Sequence, residues 1–134
     1  MTNTADERTD IVRELYDVIP FHRKHGIEIV VVTPRRAETK LPFDESLVGN
    51  PDLEVLHGGA IGSLVDLTGA AVFAGRCEEY TPTIDLRVNY LQPAGKQPLY
   101  ATATVSREGS RSVWPISRSN PVTTCVQPGL ASTK

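Results

Sequence analysis

The sequence predicts one α+β domain, an antiparallel sheet wrapped around a single long buried helix, with a second helix at the N-terminus. Three observations carry this. Residues 58–75 form an almost unbroken apolar run, too long for a strand and apolar nearly all round, as a buried helix must be. Segments on both sides alternate or are β-branched, and short turn signals separate them. Neither a linker nor a repeat divides the 134 residues, which are enough for one domain with its own core.

The elements follow in order. Thr4-Ala5-Asp6-Glu7 matches a capping box, in which the Thr hydroxyl and the Glu carboxylate satisfy each other's free amides. Ile11, Val12, Leu15, Tyr16 and Ile19 continue at helical spacing, and Pro20 is expected to stop the helix. Gly26 opens the β-branched run 27–32, Thr33-Pro34-Arg35-Arg36 turns the chain, and Ala37, Thr39 and Leu41 alternate in a return strand. Residues 42–56 read as a polar loop containing Gly49-Asn50-Pro51. The central helix runs from His57 to Arg76. Beyond it, Ile84, Leu86, Val88 and Tyr90 alternate against polar neighbours as a half-buried strand, and Leu99, Ala101, Ala103 and Val105 alternate again after Pro93-Ala94-Gly95. Glu108-Gly109 makes a hairpin turn before a strand beginning at 112–116. The domain is therefore expected over residues 1–114. Residues 115–134, with Pro115, Pro121 and Pro128, no acidic side chain and little alternation, read as an atypical tail closer to disordered chain, in which only 121–126 resembles a strand.

Composition excludes several functions. A net charge of −2 with interspersed signs leaves no basic footprint for nucleic acid, although Arg87, Lys96, Arg107, Arg111 and Arg118 could serve a small anion. Two cysteines at no metal-like spacing suit a reducing interior without disulfides, and neither a metal nor another cofactor is expected. The polar, mixed-charge start is no signal peptide, which places the protein in the cytoplasm by default. Gly58-x-x-x-Gly62 inside the apolar run matches a membrane packing motif. Asp66 at the centre of that run opposes spanning, at a cost of roughly 2.5–3.5 kcal/mol.

The same Asp66 points to chemistry. Gly59, Gly62, Ser63, Gly69 and Ala70 share its face, so nothing bulky shields the carboxylate from a substrate, a water or another chain. The competing reading is a buried Asp bonded to a Ser, Thr or amide, pinning helix to sheet. Gly58-Gly59 opens the helix where amide donors face outward, and such donors suit a carbonyl oxygen gaining negative charge. Eight residues of helix put Gly58 and Asp66 about 12 Å apart, too far to touch one reacting carbonyl. If both act, they come from two subunits across a twofold dimer with antiparallel helices.

Leu56-His-Gly-Gly-Ala-Ile-Gly-Ser-Leu-Val-Asp66, followed by Thr83-Ile-Asp-Leu-Arg-Val-Asn-Tyr-Leu-Gln-Pro-Ala94, resembles the hotdog-fold acyl-CoA thioesterases of the PaaI-like group, over roughly residues 18–114. The resemblance implies a long helix wrapped by an antiparallel sheet, and dimers, often paired into tetramers, with sites across the interface. It implies an acyl-CoA substrate hydrolysed to free acid and CoA. Asp66 would be the nucleophile or general base, and the Gly58 amide would polarise the thioester carbonyl. Thr83 would orient the water or carboxylate. Asn50 resembles the loop Asn before His-Gly-Gly, offset by one residue. His57 would order the loop or act catalytically. Gly59, Ser63, Arg107 and Arg111 would contact substrate, the two arginines through CoA phosphates. Tyr16, Phe21, Phe73 and Tyr90 could line the pocket or the core. The chain departs from the family pattern after the Ser-Val-Trp segment, where an acidic alternating strand, a Gly turn and a final strand would continue. Two other readings remain: a non-catalytic acyl-CoA-binding hotdog domain, and a hotdog hydratase or dehydratase, for which His57 sits too early on the helix.

Overall fold

The structure, a computed structural model, describes residues 4–80, 82–105, 113–116 and 122–128, with the backbone alone for Ile84 and for the last two segments. Helix α1 (Ala5–Asp17) opens with the expected capping box: the Glu7 amide donates to Thr4 Oγ1 and the Thr4 amide to the Glu7 carboxylate. Its Val12 and Tyr16 are buried against the sheet and the central helix. Pro20 does more than stop α1. It begins a second helix, α2 (Pro20–His25), at the first-turn position where a missing amide costs nothing. Gly26, at φ 65°, ends α2 in the left-handed conformation open to glycine.

Six strands form one antiparallel sheet in the order β1 (Glu28–Val32), β2 (Arg36–Leu41), β6 (Leu99–Val105), β7 (Val113–Ile116), β8 (Val122–Pro128) and β5 (Thr83–Tyr90). The segment expected as plain loop contains a 3-10 turn at Glu45–Leu47 and a small ribbon, β3 (Val48–Asn50) with β4 (Val55–Leu56). Helix α3 (Gly58–Cys77) lies across the inner face of the sheet. Alternation sets that face: Ala37, Thr39 and Leu41 of β2 and Leu99, Ala101, Ala103 and Val105 of β6 all point inward and are buried. This is the hotdog arrangement that the sequence motifs imply.

α3 is long and apolar enough to cross a membrane by length and composition, with a mean hydropathy of 1.3, but 67% of that window is buried inside the domain. Its apolarity is that of a core helix. A polar joint crosses the core, where Thr39 donates to Thr68 Oγ1 at 2.5 Å while Thr68 donates back to the Leu64 carbonyl of its own helix.

Two features differ from the sequence pattern. β5 is an edge strand, paired only with β8 among the described residues, so Leu86 and Tyr90 are exposed where burial was expected; Val88 packs against the core. Within the segment set apart as a tail, β8 pairs antiparallel with both β5 and β7. Pro128 sits at the last position of that strand, where a missing amide does least harm to a ladder.

Candidate active site

The start of α3 is tied down amide by amide. His57 is its N-cap, in extended backbone geometry, and His57 Nδ1 accepts from the Gly59 amide at 2.8 Å, so a neutral ring carries its proton on Nε2. The Leu56 amide donates to the Ala94 carbonyl, the His57 amide to Leu47, and the Ala60 amide to the His57 carbonyl. Across residues 56–60 only the Gly58 amide lacks an acceptor among the described residues. Gly49 lets β3 press against this turn: a Cβ there would stand 2.6 Å from His57 Cα. Asn50 is spent on its own loop, its side-chain oxygen accepting from the Asp52 and Leu53 amides at 3.0 and 3.1 Å. Ser63 donates to the Gly59 carbonyl one turn back, at 2.7 Å.

Asp66 lies two turns further along, half-buried on the one stripe of α3 (Gly59, Gly62, Ser63, Asp66, Ala70) that the core does not cover. Thr83 at the start of β5 donates to Asp66 Oδ1 at 2.6 Å, so the motif separated by seventeen residues in sequence meets in space. Asp66 and Thr83 line a cavity of about 260 Å³ with Tyr16, Ile19, His22, Leu67, Ala70, Ala74 and Tyr80. From α3 this lining begins at Asp66 and runs toward the C-terminal end. The Gly58 turn has no part in it.

The cavity's other polar groups are mostly occupied. The Tyr16 hydroxyl donates to the Leu67 carbonyl at 2.8 Å, and its burial, with the Asp66 charge beside it, raises its pKa well above 10. The Tyr80 hydroxyl donates to the Leu15 carbonyl. His22 Nδ1 is buried without a hydrogen-bond partner among the described residues. Burial lowers the His22 pKa below 6.5, outweighing the pull of Asp66 and of the Tyr16 backbone in the other direction. His22 and Tyr80 escaped the sequence reading. Nothing local marks either, because only the docking of α2 and of the segment after α3 brings them to Asp66.

The remaining expected residues disperse. Phe73 is core, Phe21 is exposed against the ring of His25, and Tyr90 lies over the start of α3. Arg107, Arg111 and Arg118 lie outside the described residues. Lys96 pairs with Glu45 and Glu54, and Arg87 with Asp85. No cluster of three metal-ligating side chains occurs among the described residues.

Comparison with known proteins places the chain in a family. The model of the thioesterase superfamily matches residues 53–113. The medium/long-chain acyl-CoA thioesterase YigI of Escherichia coli strain K12 is 30% identical over 124 residues, covering 81% of this chain and 80% of its own. The chain belongs to the thioesterase superfamily. Solved structures repeat the family's fold: the conserved protein PA5202 from Pseudomonas aeruginosa superposes with a TM-score of 0.73 at 24% identity, over 85% of this chain and 94% of that one. The PaaI protein of the E. coli phenylacetic acid degradation operon gives 0.71 at 16% identity, over 93% of each. The family match begins just before the His57 cap, so it takes in the whole of α3 and β5, the elements that carry Asp66, Thr83 and Gly58.

Proposed function

We propose that this chain is an acyl-CoA thioesterase that hydrolyses the thioester to a free acid and CoA at a site shared between two subunits. The observation that carries the reading is Asp66: a carboxylate fixed by Thr83 on the wall of a cavity that also presents the apolar side chains of Ile19, Leu67, Ala70 and Ala74. Ile19, Leu67, Ala70 and Ala74 suit an acyl group, and Asp66 at their edge meets the carbonyl carbon. Asp66 is either the nucleophile or the general base. As base it takes a proton from water while the new C–O bond forms, the C–S bond breaks, and the departing CoA sulfur takes a proton. A thioester is already activated, so one carboxylate with one good oxyanion donor is a sufficient minimal set.

The Gly58 amide supplies that donor, being the one amide of its turn without an acceptor among the described residues. It acts on the substrate of the facing subunit, since about 12 Å of helix separates it from its own Asp66. The edge position of β5 among the described residues, with exposed Leu86 and Tyr90, supports assembly through this side, as a dimer or a dimer of dimers. His57 acts by ordering the turn, because Nδ1 is committed to Gly59. The acyl-CoA substrate accords with the name borne by YigI.

A panel of acyl-CoAs with thiol detection tests the proposal. Wild type releases CoA and Asp66→Asn, close to isosteric, falls by several orders of magnitude. Equal release by both removes Asp66 from the mechanism. Saturable binding of acyl-CoA without release makes the chain a binding domain.

A further inference from the structure

The Gly58-x-x-x-Gly62 pair, which looks like a membrane packing motif, has an occupant within the chain. Gly58 and Gly62 stand one turn apart on the uncovered face of α3, and the ring of Tyr90 from the end of β5 lies against them. A Cβ at Gly58 would be 3.5 Å from the Tyr90 ring, and a Cβ at Gly62 would be 3.3 Å from its hydroxyl oxygen, closer than ordinary contact. The hydroxyl donates to the Gly58 carbonyl at 2.7 Å. That oxygen has a second lone pair for the helical bond from the Gly62 amide.

From this geometry we infer that Tyr90 is a positioning residue: its hydroxyl clamps the first turn of α3 and so holds the Gly58 amide on the line along which it polarises the thioester carbonyl. The inference rests on the proposed role of that amide. First turns fray, and α3 begins with two glycines and carries no acidic side chain in its first turn to restrain it. His57 Nδ1 holds the Gly59 amide from one side, and Tyr90 holds the Gly58 carbonyl from the other. Both contacts grip the single peptide group that joins Gly58 to Gly59 and so fix the Cα from which the Gly58 amide projects, while the preceding peptide, which carries that amide, is anchored through the His57 carbonyl by the Ala60 amide. The glycines serve the clamp by letting the ring come close; they are a seat for Tyr90.

Tyr90→Phe keeps the ring and deletes the bond. Its kcat falls roughly three- to tenfold with KM within about twofold of wild type, as loss of a positioning hydrogen bond predicts. Gly62→Ala displaces the hydroxyl from the other side and produces the same fall. Alanine favours the helix interior, so a drop in kcat without a drop in Tm separates displacement from unfolding. Because both changes act through one contact, the double variant is no worse than either single one. A readout without substrate completes the test: in Tyr90→Phe the Gly58 amide resonance shifts, and hydrogen exchange accelerates at the Gly59 amide, which is bonded to His57 Nδ1. Unchanged kcat in Tyr90→Phe, losses that multiply in the double variant, or unaltered Gly59 exchange each overturn the clamp. If wild type hydrolyses no acyl-CoA while Gly59 exchange still responds to Tyr90→Phe, the proposed function fails and the clamp stands as a structural contact only.

Discussion

Replacing Gly58 by proline is the sharpest single perturbation of the proposed site. It removes the amide proton from position 58 and changes little else. Gly58 is the first residue of α3, where proline is well tolerated, and the preceding His57 has φ −63° and ψ 132°, within the region that a following proline allows. The amide lost has no acceptor among the described residues, so no internal bond is broken. The Cβ position lies 3.5 Å from Tyr90, in ordinary contact. Folding is expected to survive, with Tm within a few degrees of wild type, while kcat falls about a hundred- to thousandfold, or about 2.7–4 kcal/mol for one oxyanion donor.

The same variant reports which subunit the donor serves. Gly58→Pro and Asp66→Ala proteins, each inactive alone, are mixed in equal amounts and allowed to exchange subunits. Half the dimers become mixed, and in each of these one site pairs a wild-type Asp66 with a wild-type Gly58 while the other carries both lesions. The expected recovery is about a quarter of wild-type activity. A site made within one chain recovers nothing, since every chain then bears a lesion. Mass spectrometry under native conditions establishes that exchange has occurred. Full kcat in Gly58→Pro refutes the donor, and an inert but fully exchanged mixture refutes the shared site.

Three further outcomes follow from contacts in and around the site. Thr83→Val, which keeps the shape but deletes the donor to Asp66, lowers kcat about tenfold and Thr83→Ser restores it, in line with a hydrogen bond to a charged group; a Val variant as fast as wild type removes Thr83 from the site. Burial holds the folded His22 pKa below 6.5, so the unfolded chain binds more protons as pH drops from 6.5 through the folded value, and stability is lost across that window; His22→Gln flattens the slope of Tm against pH there, and parallel slopes sink the idea. Gly75→Ala drives a methyl to within 2.6 Å of Val32 Cγ1 and 3.5 Å of Val12 Cγ2. Both side chains are fully buried and cannot retreat, so thermal unfolding should show a loss of about 1–3 kcal/mol despite the better helix former.

What could be read in the sequence was what chemistry decides locally. The Thr4–Glu7 box, the inward alternation of Ala37, Thr39 and Leu41, and the apolar length of α3 each follow from side chains a few positions apart. Their boundaries moved only slightly: His57 is the cap of α3 and Cys77 its last residue. The pairing of Asp66 with Thr83 came from the family motifs and not from any periodicity. Where one residue type admits two local roles, the pattern misled. Pro20 ends one helix and starts another, and the polar stretch 42–56 hides a ribbon whose strands are too short to alternate. Leu86 and Tyr90 alternate as core residues do, yet β5 sits at the edge of the sheet, a fact of strand order that no window along the chain contains. His22 reaches the Asp66 cavity only because α2 packs against α1, with the His22 ring 4.6 Å from that of Tyr16, an arrangement that no local pattern marks.

Strand order also gives the C-terminal segment a part in the chemistry. β5 carries both Thr83, which fixes Asp66, and Tyr90, which lies on Gly58. Yet among the described residues β5 pairs neither with the N-terminal hairpin, β1 and β2, nor with its sequence neighbour β6. Its ladder runs to β8 alone, through seven register pairs from Thr83 with Pro128 to Tyr90 with Val122, and β8 in turn is held by β7. The two ends of β5 are thus spaced by the sheet to meet the two functional points of α3: Thr83 against Asp66 at one end, Tyr90 against Gly58 at the other. A strand of eight residues rises about 3.3 Å per residue and the helix about 1.5 Å, so seven steps of strand cover the eight of helix with length to spare. β5 must therefore cross α3 obliquely, and its direction is set by the strand it pairs with. Residues 122–128, part of the segment 115–134 that departs from the family pattern in sequence, thus align the strand on which both contacts depend.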